Sequence, residues 1–167
     1  MTLNIYLPHQ YFNKQQKKAL PVIIFLSGFH FTPDNPTKKS FIQPYANKYG
    51  FSVIFSGTFP RMNYAKYEEE NGSSFYFNPT QKPWCRNFKM YSYTMNDLIS
   101  NVGKESTKLD FDNMSICGHL MGGLGSLIFY LKAPLRFKSC SAFATHPSIC
   151  PGENKYFKLF IGPKQSD

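Results

Sequence analysis

The 167 residues contain no long apolar run, no paired cysteines and little negative charge. The longest apolar stretch, Leu20–Leu26, falls far short of the roughly 20 consecutive apolar residues that a bilayer-spanning helix needs. No membrane association is expected. Residues 1–6 lack both a basic region and an apolar core of the kind that marks a secretory leader. The four cysteines (Cys85, Cys117, Cys140 and Cys150) show no C-x-x-C spacing, and Cys117 and Cys140 sit inside apolar runs as small buried hydrophobes. Nothing here suggests a disulfide framework, and a reducing, cytoplasmic setting is the expectation. The four histidines (His9, His30, His119 and His146) have no metal-ligand spacing, so neither a metal nor another cofactor is expected. Ten acidic residues face 19 Lys and Arg, for a net charge of +9. The basic residues are scattered (Lys14, Lys17, Lys18, Lys38, Lys39, then singly), with no nucleic-acid-binding motif. This distribution reads as a solvated surface rather than a phosphate-binding face.

What the sequence does contain is a globular composition, 42% hydrophobic with 17 Phe and 11 Tyr, in a chain long enough for one domain over residues 1–167. Leu3, Ile5 and Leu7 alternate as a half-buried strand ended by Pro8, and 14–19 is a polar connection. Residues 21–26 form a continuous apolar run, the signature of a strand buried on both faces. A helix is predicted over 39–49, stopped by Gly50, and a second buried strand over 51–55. A long aromatic and polar segment, 57–83, follows, of a length usually reserved for function. Tyr91, Met95, Leu98, Ile99 and Val102 recur at helical spacing. A turn is predicted at 110–113, a strand at 114–117, a helix at 122–131 and a last short strand at 139–144. Such alternation of strands and helices predicts a mostly parallel, doubly wound α/β sheet.

The most informative string is Gly118-His119-Leu120-Met121-Gly122-Gly123, directly after the strand Met114-Ser115-Ile116-Cys117. It has the frame of a nucleophile elbow, G-x-S-x-G, in which a sharp strand-to-helix turn raises a serine hydroxyl above the sheet. Gly118 and Gly122 flank the turn where a Cβ is expected to collide with a neighbouring strand or helix, and Gly123 and Gly125 are expected to let the helix approach the sheet. The serine position is occupied by Leu120. An elbow residue sits at positive φ, so Leu120 is expected to carry backbone strain.

Further strings occur in a fixed order around this one. They are Leu26-Ser27-Gly28, Pro60-Arg61, Phe75-Tyr76, Pro83-Trp84, Met90-Tyr91-Ser92-Tyr93, Gly118-His119, Met121-Gly122-Gly123 and Ser141-Ala142-Phe143-Ala144. Together they resemble the S-formylglutathione hydrolase (esterase D) family of α/β-hydrolases, from Leu3 to about Gly162. The resemblance implies a cytoplasmic serine thioesterase that acts on S-formylglutathione in formaldehyde detoxification and on small esters. It further implies a Ser-His-Asp triad, no metal or organic cofactor, and dimerisation. It places the nucleophile at Leu120 and the oxyanion-hole amides at Phe29 and Met121, with Gly118, His119, Gly122 and Gly123 forming the elbow.

This chain departs from the family pattern in three ways. Leu120 has neither hydroxyl nor thiol. The aspartate and histidine of the triad are expected beyond the residues present, so the chain corresponds to the N-terminal three-fifths of the domain, a partial α/β-hydrolase fold lacking the C-terminal strands. The site loops also differ, with Phe29-His30-Phe31-Thr32 for Leu-Thr-Cys-Thr, and residues 70–74 in place of a Trp-Asp-Phe-Gly-Thr-Gly-Ala-Gly stretch. No substitute nucleophile or base is expected. Ser115 lies on a buried strand, Ser126 is internal to a helix, and His119 supports the elbow from behind. His146 reads as surface loop and Cys150 as structural. Two readings follow: a catalytically inactive hydrolase homologue, or a pseudoenzyme that binds a ligand or pairs with an intact paralogue.

Overall fold

The computed structural model of the chain describes residues 2–58, 75–145 and 162. The strings at 60–61 and 70–74, together with His146 and Cys150, lie outside the described residues. Five strands form one sheet: β1 (Leu3–Tyr6), β2 (Leu20–Leu26), β3 (Ser52–Ser56), β4 (Leu109–His119) and β5 (Cys140–Phe143). Their order across the sheet is β1-β3-β2-β4-β5, with β1 antiparallel to β3 and every other pairing parallel. Val22, Ile24, Val53, Ile54 and Phe55 are fully buried in the two central strands, as expected for parallel strands covered on both faces.

The helices differ from the sequence reading in instructive ways. A short helix α1 (His9–Phe12), unforeseen, follows Pro8. The helix predicted over 39–49 starts later, as α3 (Gln43–Tyr49), and a separate helix, α2 (Asp34–Lys39), occupies residues that read as loop at 32–36. Pro44 has no amide to donate to the carbonyl of Ser40, so a continuous helix cannot form across that point. The chain instead turns at Phe41, which takes φ +52°. Gly50 caps α3 in the left-handed conformation, φ +70°, and its amide donates to the Ala46 carbonyl at 2.9 Å. The helical stretch predicted over 91–102 extends from α4 (Met90–Ser92) through a π-helical segment (Tyr93–Leu98) into α5 (Ile99–Glu105). The final helix, α6 (Met121–Lys132), leaves the end of β4.

The turn predicted at 110–113 is an irregularity within β4. Pro21 of β2 pairs with Asp110 and the next residue, Val22, with Met114, so 111–113 bulge from the ladder. The Asp110 side chain accepts the Asp112 amide at 3.1 Å, so these residues use turn chemistry without ending the strand.

The main core lies between one sheet face and the helices α4 to α6. Val22, Ile24, Leu26, Met90, Leu98, Ile116 and Phe129 belong to it. A smaller core on the other face joins Phe25, Val53, Phe55 and Cys117 to Ala46 of α3. Among the described residues, no helix is long and apolar enough to cross a membrane. Ile24 has no exposed surface, and Ile24→Ala is expected to cost about 2–5 kcal/mol from lost burial and the cavity left behind. The check is the urea midpoint, at unchanged m-value.

Candidate active site

The turn from β4 into α6 sets the geometry of the site. The two strands flanking the turn converge on it from different directions. On one side, the Leu120 amide donates to the Phe143 carbonyl of β5 at 3.0 Å, so β4–β5 pairing continues to the apex. On the other side, the end of β2 lies so close to α6 that a Cβ on Gly122 would overlap the Leu26 carbonyl. A Cβ on Gly118 would overlap the carbonyl of Gly122. Gly123 faces the β5 end, 3.0 Å from the Phe143 carbonyl at its Cβ position. These contacts are with backbone, which cannot rotate away as a side chain could.

Leu120 occupies the apex at φ +52° and ψ −118°, and is 40% exposed. This backbone region is sterically costly for any residue with a Cβ, by about 1–3 kcal/mol. The protein therefore holds the strained conformation of an elbow while presenting a branched hydrocarbon where the motif carries a hydroxyl. Met121 follows as the first, buried residue of α6. Phe29 lies just beyond β2, half-buried, its ring 5.9 Å from that of Phe75.

Gly125 does not serve to bring α6 onto the sheet. Its missing Cβ makes room for the ring of Tyr76, whose Cδ2 would stand 2.6 Å away. Tyr76 is fully buried and donates its hydroxyl to the Ser27 carbonyl at 3.0 Å. Burial holds its phenol well above the usual tyrosine range, so it remains a neutral donor. Ser27 in turn donates its hydroxyl to the Ser56 carbonyl at 2.6 Å. Tyr76 thus fixes the chain just after β2, next to Gly28 and Phe29. Nothing in sequence periodicity points to this tyrosine; the glycine one helical turn beyond the apex is the one local signal.

The neighbouring hydroxyls and thiols are committed elsewhere. Ser126 is fully buried and donates to the Gly122 carbonyl at 2.9 Å, within its own helix. Ser115 accepts from Ser139 at 2.9 Å. Burial pushes the Cys117 thiol up to about 12, so it is not a thiolate near neutral pH. His119 points to the opposite sheet face from α6, where it lines a cavity of about 430 Å³ with Phe25, Phe31, Lys39, Ser40 and Phe143. Among the described residues, no group of three or more His, Cys, Asp or Glu could hold a metal ion.

Comparison with known proteins matches this arrangement. The model of the Esterase family, described as "Putative esterase", matches residues 1–167. The S-formylglutathione hydrolase of Saccharomyces cerevisiae is 39% identical over 99% of this chain and 62% of its own length. That of Rattus norvegicus is 37% identical over 99% of this chain and 60% of its own. The chain thus spans about three-fifths of the curated relatives it matches. Among solved structures, an S-formylglutathione hydrolase from Agrobacterium tumefaciens superposes with a TM-score of 0.85 at 31% identity, over 98% of this chain and 60% of the other. The sheet and helices described above are accordingly part of an α/β-hydrolase fold.

Two substitutions test the elbow in opposite directions. Leu120→Gly removes the positive-φ strain at a partly exposed site and is expected to raise stability by about 1 kcal/mol, after the entropic cost of glycine. Gly122→Ala forces β2 and α6 apart and is expected to lower it by about 2 kcal/mol or more. Equilibrium denaturation measures both, and equal effects of one sign would contradict this geometry.

Proposed function

Because the chain belongs to the esterase family, with S-formylglutathione hydrolases among its homologues, we propose that it is an S-formylglutathione hydrolase-like protein that keeps the elbow but does not turn over ester or thioester substrates. The observation that carries this reading is Leu120 at the apex, strained as a nucleophile would be and without an oxygen to attack with. In the active form of this chemistry a serine adds to the acyl carbonyl, a histidine takes its proton, and main-chain amides hold the oxyanion. In this proposal the amides of Phe29 and Met121 are the oxyanion donors. They belong to the backbone and are indifferent to the side chain at 120. Phe29 crowds the acyl side more than a leucine would.

The partners of a nucleophile also fail on sequence order. In this fold the acid and then the histidine follow the nucleophile along the chain. After Leu120, the first histidine is His146, and neither Asp nor Glu occurs between them. Within these 167 residues, a hydroxyl restored at position 120 therefore finds no acid followed by a histidine to activate it.

The test is hydrolysis of p-nitrophenyl acetate and of S-formylglutathione by the purified chain. The expected result is no turnover above the protein-free rate, and turnover abolished by a serine-directed fluorophosphonate would overturn the proposal. Leu120→Ser is expected to remain at least about 10³-fold below an intact relative, since losing triad members leaves only the modest catalysis of binding and oxyanion stabilisation. Full activity in that variant would show that a base is already in place.

A further inference from the structure

The lysines that lie scattered along the sequence converge in space. Where parallel strands are joined by helices, each helix runs back against the strands, so the helix C-termini gather where the strands begin. Here α3, α5 and α6 end just before β3, β4 and β5 start, and each carries a lysine in its last turn: Lys48, Lys104 and Lys132. The negative pole of a helix accounts for these three. It does not account for the others. β1 runs antiparallel to β3 and delivers the chain to the same end of the sheet, so Lys14, Lys17 and Lys18, between α1 and β2, lie there too. Lys108 directly precedes β4, and Arg136 and Lys138 precede β5.

Hydrogen bonds draw these connections together. The Lys108 ammonium donates to the Tyr11 carbonyl at 2.9 Å, the Gln10 side-chain amide to the Asn47 carbonyl at 2.6 Å, and the Lys138 amide to the Met114 carbonyl at 2.7 Å. All nine cationic residues are exposed. The acids at this end are Glu105, Asp110 and Asp112, and none of them forms an ion pair with the nine. Among the described residues, the ion pair is Lys38–Asp34, on α2, which follows the opposite end of β2.

Apolar side chains project among these charges. Phe12 and Tyr49 are each 67% exposed and Leu135 is 98% exposed, and each lies within two residues of one of the cations. The charge calls for an anionic partner, and the apolar side chains select its kind. A leucine gains nothing from a phosphate or a base edge, but it gains by leaving water for acyl chains, as a phenylalanine does. A tyrosine ring suits the level of the headgroups.

We propose that the end of the sheet where the parallel strands begin is a peripheral docking surface for a bilayer rich in anionic phospholipid, with the lysines over the headgroups and Phe12 and Leu135 entering the acyl boundary. The elbow lies at the opposite end of the strands, roughly 20 Å away over the 7 residues of β2 at a strand's rise per residue, and stays clear of the bilayer. The inference does not depend on whether the chain turns over a substrate.

The test is co-sedimentation of the 167-residue chain with vesicles of phosphatidylcholine containing about one-third phosphatidylserine. Binding is expected to be at least tenfold stronger than to phosphatidylcholine alone, and to fall at least tenfold between about 0.05 and 0.5 M salt as the Debye length shortens. Lys17→Glu with Lys18→Glu is expected to weaken it at least tenfold. Lys38→Glu with Lys39→Glu, the same charge change at the other end of the sheet, is expected to weaken it less than threefold. Phe12→Ser with Leu135→Ser, which keeps every charge, is expected to weaken it at least threefold. No binding, or equal binding to both kinds of vesicle, overturns the proposal without recourse to any variant. Equal losses from the two lysine pairs also overturn it, because net charge and not this surface would then be responsible. So does salt-sensitive binding to a single-stranded oligonucleotide that exceeds vesicle binding and survives Phe12→Ser with Leu135→Ser, because a nucleic acid would then be the occupant.

Discussion

The approach of the β2 terminus to the first turn of α6 is the constraint on which the rest of the site depends. Leu26 and Gly122 meet backbone to backbone, with no room for even a methyl group between them. That contact decides where β2 ends relative to the helix and brings Phe29 into the neighbourhood of the turn. It also leaves the chain between β4 and α6 too few atoms to make the corner except through a positive φ at residue 120. The hydrogen bond from the Leu120 amide to Phe143 holds the same corner from the β5 side. With both sides held, the residue at the apex has no conformational choice, whatever its side chain.

This explains how a leucine comes to occupy so costly a conformation. Elsewhere, a residue with a Cβ at such an angle relaxes into a neighbouring region of backbone space. Here relaxation would break β4–β5 pairing at its end or push α6 off β2, and either change exposes core. The strain of about 1–3 kcal/mol is small against the burial that surrounds it, since Leu26, Ile116 and Phe129 in the adjoining core each have almost no exposed surface. An elbow can therefore outlast its nucleophile. Its geometry is maintained by packing, while its chemistry depends on a single side-chain atom.

Tyr76 extends the same logic outward. Its ring occupies the space that Gly125 leaves, and its hydroxyl holds the Ser27 carbonyl. A residue far from the turn in sequence thereby steadies the segment that would supply an oxyanion donor. The opposite sheet face shows the contrasting case. There, Cys117 is buried with Phe25 and Phe55, while Ser141 and Phe143 of β5 lie exposed, so cover on that face thins from β3 toward β5.

Much was legible in the residues alone. Period and composition identified all five strands, the helix stop at Gly50 and the helix after the elbow, because each depends on chemistry within a few residues. The spacing of Gly118, Gly122 and Gly123 around Leu120 identified the turn and the missing oxygen together. Where the sequence reading went astray, a local signal had two possible structural outcomes. Pro44 moved the start of the helix predicted over 39–49 to Gln43, and the turn-forming residues 111–113 became a bulge because β2 supplied hydrogen-bonding partners on either side of them. Only the tertiary structure decided that Gly125 makes room for Tyr76 and that the Tyr76 hydroxyl holds the Ser27 carbonyl. Those facts depend on which distant backbone arrives at a given spot, and that is set by sheet register and helix docking, not by any pattern a stretch of residues carries.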